Sequence, residues 1–441
     1  MNLTRRHFLA TASVATTCPT LISAADIGRL EAGTAKVDIT PPVGQPMGGF
    51  LNRLKVNGGA CRDIHDPLFA RVLFLQSGAT SIAIVTVDLL FFASRRVVAE
   101  ARSKWRVDHI ILSSSHTHAG PIAKTGGMPQ WSNLNVNPQE TLDFEAFSRD
   151  PWYADTERKI VSAIGEAKLN RFPARIGAGS AVFDSVYLPH NRRHVAPDGR
   201  VTMQWDNPKR LPTSPVDRTL RVLRVDDESG RPRAMLAHFA CHPVTLGSGN
   251  FSISADFPGA VVARLESELG NDCMGMFLQG ASGDIDPFEM GLHGKYGHQI
   301  VRCAGESLGN KALAIGKSLT TASGTVRVKE SLLAFGQRHK PDKLDVGLTT
   351  IRIGPDIAIT SIPGEPFVQH QLNLAKAAPV KHPFLLGLAY NGSGIPFTIY
   401  LPTVQAAKEG GYGASSGTFL EIGAGERMIA EALASMKNLR L

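Results

Sequence analysis

Short apolar runs recur along the chain at the length of buried strands, over residues 70–75, 81–87, 109–112, 220–225, 234–240, 274–278, 358–362 and 384–389. Between several of them apolar positions return every three or four residues. That spacing predicts helices over 95–105, 156–169, 257–269, 299–319, 365–377 and 419–436. Alternation of this kind predicts an α/β protein with largely buried strands. Residues 122–155 and 189–215 are polar and rich in Asn, Gly and Pro. Both are too long to be plain connectors and read as loops that cover a site. No composition break marks a linker, so residues 26–441 read as one catalytic unit.

The polar residues that follow the strands are more informative than the strands. One run ends in Ser115-His116-Thr117-His118-Ala119-Gly120-Pro121, and another in Cys241-His242-Pro243. A third leads into Gly283-Asp284-Ile285-Asp286-Pro287 and a fourth into Pro363-Gly364-Glu365. Ligands of open α/β sheets bind outside the carboxyl ends of strands, so four such ends can converge on one site. In an extended segment His116 and His118 would project to the same side. Two imidazoles and a carboxylate with one open position suit a hydrolytic Zn2+. Any one of these histidines alone would more readily be a hydrogen-bonded loop residue.

The first 25 residues differ in kind. Thr4-Arg5-Arg6-His7-Phe8-Leu9 precedes a mild apolar stretch ending in small residues, with no acidic residue before Asp26. This fits an export signal of twin-arginine type and predicts a periplasmic or extracellular protein. No segment reaches the ~20 apolar residues of a membrane helix, so membrane contact is expected to be peripheral at most.

Composition adds exclusions. The 441 residues carry 47 basic and 39 acidic side chains, a formal charge of +8, without a basic block. Nucleic-acid binding is not expected. Cys61, Cys241, Cys273 and Cys303 have neither disulfide-scaffold nor zinc-finger spacing, though export would permit one or two disulfides.

Taken in order, the motifs resemble the neutral non-lysosomal ceramidases. Besides the four strand ends, Gly33 to Pro42, Met47-Gly48-Gly49, Tyr400-Leu401-Pro402-Thr403 and Tyr412-Gly413-Ala414-Ser415 are similar to segments of that family. The resemblance implies mixed sheets flanked by helices, with the active site at strand carboxyl ends. It also implies one Zn2+ held by His116, His242, Glu365 and Tyr400, with His118, Tyr412 and Arg192 beside it. Arg193 reads as a solvated charge. Glu365 can also serve as a carboxylate at a helix start. Tyr400 can also be read as a strand-end aromatic, whereas the glycines around Tyr412 give that ring no packing reason.

One departure concerns the chemistry. Where the family has a serine proposed to be catalytic, this chain has Asp286, and Ser282 could replace it only with a rearranged loop. Asp286 can act as general base or, with Asp284, bind a second cation. Equally, both can cap the following turn and helix. Residues Ile122-Ala123 replace the family's glycines, and ceramidases continue into an immunoglobulin-like domain. A substrate different from or broader than ceramide is therefore expected.

The expected protein is an exported zinc amidase acting on a linear N-acyl bond of a small molecule or lipid, with room for a structural Ca2+ or Mg2+. The alternatives are a two-metal ester or phosphoester hydrolase using Asp284 and Asp286, and a non-catalytic envelope-binding relative. The sequence leaves the oligomeric state open. A long apolar slot above His116 would argue for a lipid, and a shallow polar bowl for a sugar or peptide.

Overall fold

A computed structural model describes residues 29–124, 143–270 and 272–439. The export-type segment and most of the first long loop lie outside the described residues.

Nine strands form the main sheet, in the spatial order Met274–Gln279, Pro232–Phe239, Thr219–Asp227, Phe172–Val182, Glu31–Asp38, Phe69–Ser77, Thr80–Val87, His109–Ser114 and Ala389–Tyr390. The sheet is mixed. Pro232–Phe239 runs parallel to Met274–Gln279, and Thr80–Val87 parallel to His109–Ser114; the other neighbours are antiparallel. The crossover between the second parallel pair is the helix Arg95–Trp105, as a parallel connection requires. Its start is capped by Ser94, whose Oγ accepts from the Val97 N–H at 3.0 Å.

A second sheet has the order Val326–Phe335, Leu344–Ile353, Ile357–Ser361 and His382–Leu386. Leu73, Leu75, Ile82 and Ile84 of the main sheet share one apolar cluster with Ile351, Ile353, Ile359 and Phe384 of the second, so the sheets pack face to face. Helices cover both outer faces. Pro151–Leu169, Asp256–Leu269 and Gly294–Lys317 join Arg95–Trp105 on the main sheet, and Val368–Ala377 and Ala424–Asn438 lie on the other.

The sequence pattern leaves four strands of the two large sheets unread, Glu31–Asp38, Phe172–Val182, Val326–Phe335 and Leu344–Ile353, besides several strands of two or three residues. The first two are rich in Ala and Gly where helices approach closely. A Cβ on Gly33 would sit 1.8 Å from the Ala167 carbonyl oxygen of the covering helix. The apolar run 384–389 is not one strand. It ends at Leu386, and Leu388 adopts a left-handed backbone (φ 50°) as the chain crosses to the main sheet. The helix expected at 156 begins at Pro151, because Asp150 caps it through the N–H groups of Trp152 and Tyr153. The helix expected at 365 begins at Val368. Among the described residues, Cys61, Cys241, Cys273 and Cys303 are all free thiols.

Candidate active site

The strand ends do converge. Gln279, at the end of its strand, donates through Nε2 to the Ser115 and Cys241 carbonyls, both at 3.0 Å. This one buried amide ties three strand ends together. The Leu388 crossover supplies the fourth link: its carbonyl accepts from the Ser114 N–H at 3.1 Å and its N–H donates to Gly364 at 2.7 Å.

His116 does not lie in an extended segment. Its strand stops at Ser114, and His116 itself has φ 70°, a conformation uncommon for a residue with a Cβ. Two backbone bonds hold it there, Ser115 N–H to Val87 O and His116 N–H to Leu89 O, both 2.9 Å. Strain held by its surroundings is typical of functional positions. The bend turns the ring so that Nδ1 is 2.7 Å from the Leu90 carbonyl. A carbonyl can only accept, so Nδ1 donates to it and Nε2 is the nitrogen turned inward. His242 is set in the same way, with Nδ1 3.2 Å from the Ile285 carbonyl.

Glu365 receives both inward edges. Its Oε2 lies 3.0 Å from His242 Nε2 and 3.4 Å from His116 Nε2. Burial alone would raise this carboxyl, but His116 and His242 outweigh it and hold Glu365 well below the usual carboxylate range. His118 completes the group, with Nε2 3.3 Å from His116 Nε2. Burial, then the neighbouring imidazoles, push its pKa well below the ordinary histidine value, so it is neutral.

Ligand atoms of His116, His118 and His242 all lie within 4.8 Å of one another. The inward nitrogens of His116 and His242 share one buried carboxylate oxygen, a donor set of metal-ligand type, and both rings have on Nδ1 the carbonyl partner that metal-bound histidines use. These residues fit a metal ion.

Glu365 is no helix-start carboxylate. It forms a two-residue parallel bridge with Tyr400 (Glu365↔Tyr400, Pro366↔Leu401), which sets the tyrosine beside the group. The Tyr400 and Tyr412 rings are 5.2 Å apart, and Arg192 lies over both, its Cζ 5.3 and 5.2 Å from their centroids. Burial raises both phenols above their ordinary value, Tyr400 well above it. Both are therefore neutral donors at physiological pH.

The remaining expected residues divide. Asp286 is fully buried behind His242, its Oδ1 3.6 Å from Nδ1 and 3.2 Å from Arg192 Nη1. Asp284 takes the capping role in an unexpected place. Its Oδ1 accepts from Val368 N–H at 2.8 Å, the start of a helix remote in sequence, while Oδ2 accepts from Asn191 Nδ2 at 2.8 Å. Burial raises its pKa. Both carboxylates are thus engaged, and among the described residues the three histidines form the one group of metal-ligand type. Ser282 is buried away from the cavity. Arg193 is not solvated: it is buried, bonded to Glu409 at 3.2 Å and to the Gly410 carbonyl at 2.8 Å.

A cavity of about 390 Å³ opens above the histidines. Phe50, Leu54, Phe91, Phe147, Trp152 and Ile122 supply an apolar lining, and His116, His118, Glu365, Tyr400 and Tyr412 form its polar end. Sequence reading missed Arg53, a buried guanidinium with no carboxylate partner among the described residues. It donates to the carbonyls of Gly48, His118 and Gly247 at 2.8, 2.5 and 2.7 Å, joining three loops of the site. Burial lowers its pKa to about 10. Along the chain it stands between Asn52 and Leu54 with Lys55 close behind, a pattern that does not separate it from a surface charge.

Fold and site together define an α/β protein with a metal-type histidine–glutamate centre at the polar end of an apolar cavity. The profile of neutral/alkaline non-lysosomal ceramidases, N-terminal, matches residues 30–307, well over half of the chain. The chain belongs to that family. It is 26% identical over 255 residues to neutral ceramidase B of Dictyostelium discoideum, covering 54% of this chain and 33% of that protein. Neutral ceramidase A of the same organism is 25% identical over 284 residues, with coverages of 60% and 37%. The chain thus spans about a third of the length of these curated relatives. The crystal structure of neutral ceramidase from Pseudomonas aeruginosa has the same fold, with a TM-score of 0.69 at 17% identity, covering 94% of this chain and 76% of that one. A ceramidase complexed with C2 superposes with a TM-score of 0.70 at 16% identity and the same coverages.

Proposed function

We propose that the protein is an exported zinc-dependent hydrolase that cleaves the linear amide of an N-acyl lipid. The observation that carries this reading is the joining of a buried histidine–glutamate centre to an apolar cavity rather than a polar bowl. The two curated relatives named above are ceramidases, which points to the same chemistry. His116, His242 and Glu365 would hold the ion, with Tyr400 as the fourth ligand. Zn2+ supplies a Lewis acid and a bound water acidic near neutral pH.

The chain's own residues do the rest. The apolar walls receive the acyl chain, each buried methylene contributing about 0.8 kcal/mol. Tyr412, protonated because it is buried, donates to the oxygen on which charge develops. His118 is neutral and hydrogen-bonds the reacting carbonyl. The Arg192 cation lies over the tyrosine rings and favours negative charge at their hydroxyls.

The test uses protein without residues 1–25, assayed with and without Zn2+ against sphingoid, amino-acid and sugar N-acyl amides. Zinc-dependent release of a fatty acid carrying labelled solvent oxygen is expected, with one Zn2+ per chain. Equal activity after chelation, or no hydrolysis of any amide, would sink the reading. Two ions per chain would favour phosphoester chemistry. Export is tested separately: replacing Arg5 and Arg6 by Lys should retain the protein in the cytoplasm.

A further inference from the structure

We propose that Asp286 is a positioning residue, which fixes the Arg192 guanidinium against Tyr400 and Tyr412. The claim rests on the hydrolase reading above.

The geometry begins with the backbone. Ile285-Asp286 pairs antiparallel with His190-Asn191, which brings Arg192, the next residue, alongside the segment that carries Asp286. Arg192 is then held at three points. Its N–H donates to Asp284 O at 3.0 Å, Nη2 to Gly283 O at 2.6 Å and Nη1 to Asp286 Oδ1 at 3.2 Å. Both side chains are buried. The guanidinium so fixed is stacked by Trp205, Tyr400 and Tyr412, each ring centre 5.2 to 5.3 Å from Cζ. Among the described residues, Asp286 supplies the one carboxylate that hydrogen-bonds it.

The same geometry argues against proton transfer by Asp286. A general base must come within hydrogen-bond reach of the proton that it takes. Asp286 faces His242 Nδ1, while the opposite Nε2 edge faces Glu365, so the imidazole ring stands between Asp286 and the centre. Nor does Asp286 line the cavity. The Nδ1 of His242 bonds the Ile285 carbonyl, so Asp286 acts on the site through Arg192, and loss of a partner that orients a site residue typically lowers activity about 10- to 100-fold.

Asparagine separates the two roles. Asp286 Oδ2 has no hydrogen-bond partner among the described residues, so an amide nitrogen there would break no bond while the remaining oxygen still accepts from Arg192. In the zinc-loaded protein, Asp286→Ala is expected to lower kcat at least tenfold with KM changed less than about threefold. Asp286→Asn should keep kcat at least fivefold above the alanine variant. A smaller gap, or an alanine variant equal to wild type, overturns the inference, since a proton acceptor would be lost equally in both variants.

A crystal structure of Asp286→Ala provides a readout independent of turnover. Arg192 should leave the tyrosine rings, and an unmoved guanidinium also overturns the claim. If the orphaned cation prevents folding, Arg192→Gln/Asp286→Ala is compared with Arg192→Gln. A kcat difference under threefold is expected, and a larger one is fatal. Wild-type protein inert toward every amide would instead remove the hydrolase reading, and the crystal comparison would still judge Asp286.

Discussion

Glu365 and Tyr400 are partners in a parallel two-residue bridge, so backbone pairing, rather than either side chain, brings the carboxylate and the phenol to one site. The Glu365 N–H donates to the Ile399 carbonyl at 2.8 Å, and the Phe367 N–H to Leu401 at 3.0 Å. That rigid frame sets the terms on which the site can be tested.

Truncating a ligand should empty the site and leave the fold. His116→Ala and Glu365→Ala are each expected to lower bound zinc from one per chain to below about one tenth, and activity by at least ~10³-fold. Metal analysis beside far-UV circular dichroism measures both. Full zinc in both variants would refute the ligand set.

Tyr412→Phe removes a hydroxyl and keeps the ring that packs on Tyr400 and Trp205. Loss of one donor to a developing oxyanion costs about 10²- to 10³-fold in kcat. Steady-state kinetics should therefore show that loss with little change in KM. An equal rise in KM would mean that the phenol binds substrate and transition state alike.

Gly49 has φ 89°, and a Cβ there would lie 2.5 Å from His118 Nδ1. Gly49→Ala should displace His118 and strain the turn, lowering kcat at least ~100-fold while Tm falls only a few degrees. Wild-type kcat would show that His118 has no positional role.

Asp256 gives a pH signature to stability. Burial raises its carboxyl from 3.8 to about 6. Between those values the folded protein binds more protons than the unfolded chain, so stability falls as pH rises. The contribution is complete below pH ~4 and lost above ~6, about 3 kcal/mol in all. Urea unfolding of wild type and Asp256→Asn should show wild type losing that amount relative to the variant between pH 4 and 7. A pH-independent difference contradicts the assignment.

Much of this was legible along the chain. Apolar runs marked strands because a buried strand needs neither alternation nor partners nearby in sequence, as at Thr80–Val87. The helix Arg95–Trp105 falls on its expected residues, since Ser94 caps it locally and Val97, Val98 and Ala101 bury one face. The histidines and Glu365 stood out because strand ends rich in polar residues, Gly and Pro are where α/β sheets build sites. Edge strands such as Val326–Phe335, with mixed polarity, carry no comparable signal.

The sequence by itself determined the fold class, the strand ends and the residue types gathered there, because burial and turn chemistry are local. Tertiary structure alone decided that His116 is left-handed, that Asp284 caps a remote helix, and that Asp286 pairs with Arg192 behind His242. It also decided that Arg53 and Arg193 are buried. Each of these depends on register between segments far apart in the chain, and hydrophobic periodicity reports that a residue is buried without saying against what.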